Sequence, residues 1–279
     1  MKKIAFIAAA AALAFSAQAM AQDYSKITIA TEGAYAPWNF KDAAGNLVGF
    51  ELDLAKDLCA RMKLECTIVE QAWAGIIPSL QAKKYDVIMA GMSITAKRME
   101  TITFSRDYAA TPASFVVTKD SPLAGFTTKA TFLTLDDKDA DEQAAIDAII
   151  KTFKGKTVGV QTSTTHENFL KEYLAGDVDI RSYDTQENLD LDLQAGRVDA
   201  ALASMSYWVP LLASDKGTDM KMVGPGMTGG PFGAGVGAGI RKEDQKLADM
   251  FTAAINSAIA DGTVKKMAEQ WFGFDASAK

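Results

Sequence analysis

The sequence holds a single histidine, His166, among its 279 residues, so two imidazoles cannot meet on one metal ion within this chain. It holds only two cysteines, Cys59 and Cys66, and no Cys-x-x-Cys pair or Cys-His cluster, which removes the usual zinc and iron–sulfur motifs. No cofactor is implied. The 29 basic and 35 acidic residues leave a net charge of −6, and Lys and Arg nowhere gather into a cluster. Binding a phosphate backbone through counterion release needs such a cluster, so nucleic acid is excluded as a partner. Beyond the N-terminus no apolar run approaches membrane-spanning length, and direct insertion into a bilayer is not expected.

What is present is ordinary globular composition, 48% hydrophobic and 23% charged, on a chain long enough for a substantial core. The first residues differ from the rest. Lys2 and Lys3 precede an apolar stretch over residues 4–15, and Ala19 and Ala21 put small side chains on both sides of Met20. This reads as a signal peptide over residues 1–21, cleaved to leave Gln22 first; an anchor would need a longer apolar run, and a lipid would need a cysteine beside the site. In the oxidising compartment reached by export, Cys59 and Cys66 can pair, with two buried thiols as the alternative.

Short β-rich runs alternate with helical periodicity. Strands are expected at residues 26–30, 66–70 and 85–90, with helices over 51–62 and 76–83 between them, and a second set follows: strands at 157–160, 178–183 and 198–203, helices over 164–174 and 185–195. Repeated β-α-β units imply an α/β chain with mostly parallel sheets covered by helices. Residues 80–93 and 193–206 share Leu, Gln, Ala, Asp, Ala, Met and Ser at equivalent positions, which supports two similar lobes. Leu247, Phe251, Ala254, Ile255 and Ala258 fall on one face of a late helix that needs an apolar partner, and another helix is expected over 263–271. The division expected is a first lobe of residues 22–111 completed by 236–279, with residues 112–235 inserted as the second; two sequential domains are the alternative. Residues 119–141 read as a solvated excursion, and the glycine-rich segment 224–239 as a turn-rich crossover. Its Gly224, Gly226 and Gly229 fit the dinucleotide spacing, but Gly230 and Pro231 stand where that fingerprint requires a helix.

In parallel sheets the loops after the strands converge on a crevice, where helix N-termini offer free N–H groups. Such loops carry Glu32, Tyr35 and Trp38, then Trp73, then Gly91, Met92, Ser93 and Arg98; in the second set they carry Gln161, Ser163, Thr164, Thr165 and His166, and finally Ser204. Arg98 with Ser93 suits a ligand carboxylate, which Thr165 and the amides around it could grip from the other side. A surface pair of Arg98 with Glu100 or Asp107, and simple N-capping by the threonines, are the plainer readings. Glu32 suits a cation, and Tyr35 with Trp73 suits an aliphatic stem or flat guanidinium. A neutral His166 can donate or accept one hydrogen bond; protonated, it would favour an extra carboxylate.

The segments Tyr35-Ala36-Pro37-Trp38, Gly49-Phe50-Glu51-Leu52-Asp53-Leu54, Ile77-Pro78-Ser79-Leu80, Met92-Ser93-Ile94-Thr95 with Arg98, and Ala195-Gly196-Arg197-Val198-Asp199-Ala200 carry a family resemblance, as do Asp261-Gly262-Thr263 and Trp271-Phe272. The chain resembles the periplasmic solute-binding proteins of polar amino-acid ABC transporters, in the lysine/arginine/ornithine, histidine and octopine/nopaline group. The resemblance covers essentially the whole mature chain. It implies a two-lobed periplasmic binding protein fold of type II, hinged between lobes, that closes on an amino acid or opine and delivers it to a membrane permease. It also implies a monomer in the periplasm and no catalysis, with Arg98, Ser93 and Thr165 on the α-carboxylate, Tyr35 and Trp73 around the side chain, and Glu32 at its distal end. Cys59 and Cys66 match a disulfide of this group.

One position departs from the pattern. Several amino-acid binders of the family place an aspartate where Ser204 stands, to hold the α-ammonium. A neutral hydroxyl there suits a substituted amine carrying a second carboxylate, and Gly91 leaves room for it while His166 can meet it. Gln161, Ser163, Thr165, His166 and Ser204 together look similar to octopine/nopaline binders. An arginine-derived opine is therefore the expected ligand, with free arginine, ornithine, lysine or histidine as the alternative. An exported lyase on the same scaffold, using Glu32 and His166 as acid and base, and a ligand-presenting sensory module are the competing classes.

Overall fold

The computed structural model describes residues 24–136 and 139–279. The signal peptide expected over residues 1–21 lies outside the described residues, as do Asp137 and Lys138 of the polar excursion. The chain begins with β1 (Lys26–Thr31) and a small antiparallel sheet of β2 (Ala34–Tyr35), β3 (Asn39–Lys41) and β4 (Leu47–Val48). Then come α1 (Phe50–Met62), β5 (Glu65–Glu70), α2 (Ile76–Gln81), β6 (Val87–Ile88), α3 (Ala96–Met99) and β7 (Ile102–Ala109). The chain crosses into a second sheet with β8 (Ala113–Thr118), β9 (Phe132–Thr134), α4 (Ala140–Phe153), β10 (Thr157–Gln161) and α5 (Thr165–Tyr173). Next are β11 (Asp179–Tyr183), α6 (Gln186–Gln194), β12 (Ala200–Ser204), α7 (Met205–Leu212) and β13 (Met220–Thr228). It crosses back through residues 229–235 to β14 (Val236–Arg241), α8 (Gln245–Ala260) and α9 (Thr263–Phe272).

The result is a two-lobed α/β fold. One sheet has the order β5-β1-β6-β14-β7 and the other β11-β10-β12-β8-β13-β9. In each, the central pairs are parallel, β1 with β5 and β6, and β10 with β11 and β12; antiparallel strands follow on one side. Helix α8 buries Leu247, Phe251, Ala254, Ile255 and Ala258 as its periodicity requires, and packs on α1, β7 and β14. Five of the larger buried side chains, Trp38, Phe50, Tyr108, Phe272 and Phe251, belong to this layer. Phe115, Phe153, Phe169 and Phe232 fill the second lobe.

The repeated segment has a structural meaning. Asp86 accepts the Thr28 N–H at 2.9 Å and Asp199 the Thr157 N–H at 2.8 Å, and each aspartate's own N–H donates to the same residue's carbonyl, at 2.9 and 2.8 Å. Ahead of these aspartates, Lys83 and Gly196 sit at the same step in left-handed backbone, φ 60° and 66°. Each lobe thus uses one helix-turn-strand unit to clamp its first parallel strand.

Strands β7, β8, β13 and β14 go beyond what periodicity predicts. The segment 224–239, expected as a turn-rich crossover, is mostly strand: β13 runs to Thr228 and β14 starts at Val236. Its glycines serve close packing, since a Cβ on Gly237 would lie 2.8 Å from Ile94 Cδ1 and one on Gly239 3.2 Å from Ile102 Cδ1. Gly224, Gly226 and Gly229 lie along β13 and just past it, followed by one 3-10 turn, Gly230–Phe232. That is not the strand-to-helix turn of a dinucleotide site. Residues 119–141 include β9, which pairs in parallel with β13. Cys59 and Cys66 form a disulfide between the end of α1 and the start of β5, Cα atoms 6.2 Å apart. Among the described residues no helix is long and apolar enough to cross a membrane.

Candidate functional site

The parallel strands of both sheets end at a cleft between the lobes, and their loops line it. From the first lobe come Glu32, Tyr35, Trp38, Trp73, Ala90, Gly91, Ser93 and Arg98; from the second come Gln161, Thr164, Thr165, His166, Gln186 and Ser204, with Val236 from the returning strand. Every residue singled out from the sequence is here except Met92 and Ser163. Met92 is fully buried in the first lobe's core with Ile88 and Ile102, because the chain reverses at Gly91 and turns the next side chain inward. Ser163 takes left-handed backbone, φ 58°, held by its N–H donating to Glu167 Oε2 at 2.8 Å, and meets the cleft through its carbonyl, which accepts from Arg98 at 3.3 Å.

Arg98 is placed by the short helix α3, where Thr95 Oγ1 caps the Arg98 N–H at 3.2 Å. Its guanidinium donates to Ser93 O at 2.8 Å and, across the cleft, to Ser163 O at 3.3 Å, and it lies 5.3 Å from the centre of the Trp73 ring. These acceptors are neutral. Among the described residues no carboxylate lies within ion-pairing distance of Arg98; Asp107, a plausible partner by spacing, pairs with Arg106 at 3.4 Å. Burial pulls the Arg98 guanidinium down to about 10, which still leaves it charged at neutral pH. A partly buried cation without a counter-charge is chemically suited to receive an anion at this end of the cleft.

Thr165 opens α5 across from Arg98. Thr164 is its N-cap, with Oγ1 accepting from the Glu167 N–H at 3.2 Å and the hydroxyl donating to Gln161 O at 2.7 Å. Capping and cleft lining therefore coexist: the cap satisfies the third amide of the helix, and Thr164, Thr165 and His166 all line the cleft. His166 stands 3.5 Å from Ser204 Oγ through Nε2. Burial, reinforced by the Arg98 charge, drives its pKa from 6.5 down to about 3, so the imidazole is neutral. The protonated form considered from sequence is disfavoured by burial and by the neighbouring Arg98 cation.

At the other end Glu32 is 5% exposed and accepts from Gln161 Nε2 at 2.6 Å, a bond between lobes. Burial raises its pKa from 4.5 to about 7, only partly offset by the Gln161 bond. Trp73 donates Nε1–H to Thr162 O at 3.0 Å, Trp38 donates to Ser206 Oγ at 2.9 Å, and Tyr35 stacks on Tyr207 with ring centres 4.8 Å apart. The cleft is thus an aromatic-walled slot with a carboxylate at one end and a guanidinium at the other. Gly91 has φ +61°, and a Cβ there would stand 3.7 Å from Tyr35 Cδ1. The turn itself calls for glycine, and the space over the Tyr35 ring is a second consequence.

Sequence reasoning missed Ala90, Gln186 and Val236. Gln186 is the first residue of α6, at the end of a parallel strand, so the rule that found Thr165 would have found it. Val236 has no local signal; it arrives on the antiparallel return. A further cavity of about 260 Å³ continues from Ser93, Thr165, His166, Ser204 and Val236 toward Ala110, Thr111 and residues 233–235, where the chain crosses between lobes. Among the described residues no group of His, Cys, Asp and Glu could hold a metal ion.

The chain is similar to known proteins over nearly its whole length. The octopine-binding periplasmic protein of Rhizobium meliloti is 44% identical over 289 residues, 97% of this chain and 98% of its own. The histidine-binding periplasmic protein of Salmonella typhimurium is 39% identical over 280 residues, 99% of this chain and 98% of its own. A solved periplasmic His/Glu/Gln/Arg/opine family-binding protein from Silicibacter pomeroyi, in complex with lysine, matches with TM-score 0.73 and 33% identity, covering 91% of this chain and 100% of that one. The model of the bacterial extracellular solute-binding proteins, family 3, matches residues 27–274, nearly all of the described chain, and the protein belongs to that family.

Proposed function

We propose that this protein captures an arginine-derived opine of the octopine or nopaline type in the cleft between its lobes and hands it to the membrane permease of an ABC importer. The observation that carries this reading is Arg98, a charged guanidinium facing the cleft with carbonyl acceptors and no carboxylate. The ligand's α-carboxylate supplies the missing charge, with Ser93 and the Thr165 end of α5 as further donors. Glu32 takes the distal guanidinium, and Tyr35 and Trp73 line the stem between. The additional carboxylate of an opine enters the adjoining cavity past Ser204, Ser93 and neutral His166. A hydroxyl at Ser204 matches a secondary amine, which offers fewer donors than a free ammonium. The similarity to an octopine-binding protein favours the same ligand class.

In this reading the lobes comprise residues 22–111 with 236–279, and residues 112–235. Closure is favoured only by the ligand's greater affinity for the closed form, as contacts from both lobes allow. The protein works as a monomer in the periplasm after cleavage following Ala21, and binds reversibly without turnover. A free basic amino acid is the second reading, favoured by the histidine-binding relative and the lysine-bound structure. Thermal-shift screening of protein freed of copurified ligand, followed by calorimetry with octopine, nopaline, arginine, lysine and histidine, tests both. Binding of none of these rejects the proposal, and so does product formation from bound ligand.

A further inference from the structure

Behind the cleft, outside its lining, lies a buried polar chain that joins two of the loops facing it. Gly33 and Gly91 follow β1 and β6, and both take left-handed backbone, φ 76° and 61°. The Gly33 N–H donates to Asn39 Oδ1 at 2.8 Å, and Asn39 Nδ2 donates to Glu51 Oε2 at 2.8 Å. The Gly91 N–H donates to Glu51 Oε1 at 2.7 Å, and the Tyr108 hydroxyl donates to the same oxygen. Glu51, Asn39 and Tyr108 are 1%, 0% and 0% exposed.

From this geometry we infer that Glu51 is a positioning residue for ligand capture, fixing the Glu32–Tyr35 turn and the Gly91–Arg98 turn at one separation. Glu32 and Tyr35 flank Gly33, and Ser93 and Arg98 follow Gly91. The spacing between the cleft's anionic and cationic ends within the first lobe therefore passes through this one carboxylate. The inference rests on the proposed binding of a ligand that spans both ends.

Where Glu51 stands, the Asn39 amide and the Gly91 N–H each need an acceptor, one at each oxygen, and the Tyr108 hydroxyl reaches the same oxygen as Gly91. A glutamine would bring its own NH₂ against Asn39 Nδ2. Turning the Asn39 amide over relieves that clash but sets its NH₂ against the Gly33 N–H. The chain of donors runs one way, from each glycine toward the carboxylate, and a single amide cannot be inserted without leaving a buried donor unpaired. Exchanging both residues restores the order: in the double variant Glu51→Gln, Asn39→Asp, the new carboxylate at position 39 accepts from both the Gly33 N–H and the new amide, whose oxygen keeps Gly91 and Tyr108.

Calorimetry with octopine and with L-arginine on the full folded chain tests this, with thermal melting measured in parallel. Binding of either ligand to the parent is the control; if the parent binds neither, the proposed function fails before this inference is reached. Glu51→Gln is expected to raise Kd about tenfold at unchanged stoichiometry, as one unpaired buried donor costs. The double variant is expected to return to within about threefold of the parent, the residual being the cost of moving a charge. A Glu51→Gln protein that melts lower but binds with the parent's Kd would show a merely structural role and overturn the inference. A double variant that folds and still binds as weakly as the single one would overturn it equally. If Glu51→Gln does not fold, Asn39→Ala carries the test, since it cuts the link to Gly33 and leaves Glu51 two donors. About tenfold weaker binding is expected there, and less than about twofold rejects the inference.

Discussion

Gln161 donates across the cleft to Glu32 at 2.6 Å, so the anionic end of the site is also a lobe-to-lobe contact. A cationic ligand group arriving there meets a carboxyl that burial, with smaller contributions from Glu51 and Glu187, raises to about 7. The cation favours the ionised form. Below the raised pKa, binding must therefore release a proton, and affinity for a guanidinium rises as pH climbs through about 7. Calorimetry at about pH 6 in buffers of differing ionisation heat should detect release of up to one proton, and at about pH 8 almost none. Glu32→Gln should abolish the difference; a difference that persists would assign it elsewhere. The unliganded protein shows the opposite trend from this group, since a raised carboxyl pKa gives stability that is present at low pH and lost between about 4.5 and 7.

Arg98→Glu replaces the unpaired cation with an anion facing the ligand's carboxylate. Affinity for octopine or arginine should fall at least about a thousandfold, combining a lost charge-assisted pair with repulsion. The empty protein should still fold but melt somewhat lower, because a carboxylate cannot donate to the Ser93 and Ser163 carbonyls that the guanidinium holds. Titration showing unchanged affinity would remove Arg98 from the site.

His166 should not govern the pH response between about 5 and 8, because burial and the Arg98 charge hold its pKa near 3. Its folded-state pKa is depressed, so the stability linked to its neutral form is present above about 6.5 and is lost as pH falls toward 3. In His166→Ala the pH profile of arginine affinity should keep its parental shape. A flattened profile would mean that the imidazole titrates in the cleft after all.

Ser204→Asp puts a carboxylate beside His166 and next to the cavity that continues past it. The ratio of arginine to octopine affinity should rise about tenfold or more, since a free ammonium gains a charged acceptor while an opine's second carboxylate meets repulsion. Competition calorimetry reads that ratio directly, and a constant value would reject this account of selectivity.

Much of the candidate site's lining was legible because a parallel sheet brings its strand-following loops together, and Glu32, Trp73, Arg98, Thr165 and Ser204 all come from such loops. The α8 face and the Asp86 and Asp199 units were equally plain from spacing. Strands β8 and β14 were not, because antiparallel strands buried on both faces lose the alternation that marks a strand, and all six residues of β14 are buried; β7 and β13 are partly exposed but show no regular two-residue alternation either. Glycines packed against Ile94 and Ile102 gave β14 the composition of a loop. Met92 was misplaced for a related reason: which way a side chain points after a left-handed glycine depends on a turn that composition does not encode. Glu51 stood in a family-like segment, but its partners lie on three separate elements, so spacing could not assign it a role.

The chain passes between the two sheets twice, at residues 110–112 and again at 229–235, and the first passage is strapped on its first-lobe side by Ala110 N–H to Ala276 O at 2.9 Å and Ala278 N–H to Tyr108 O at 3.1 Å. A body tethered at one point can swing and spin in three ways; tethered at two, it keeps chiefly a rotation about the line joining them. If the proposed closure swings the second lobe, these two crossings would act on it as a pair of pins act on a door, bringing Thr165 back to Arg98 along one arc.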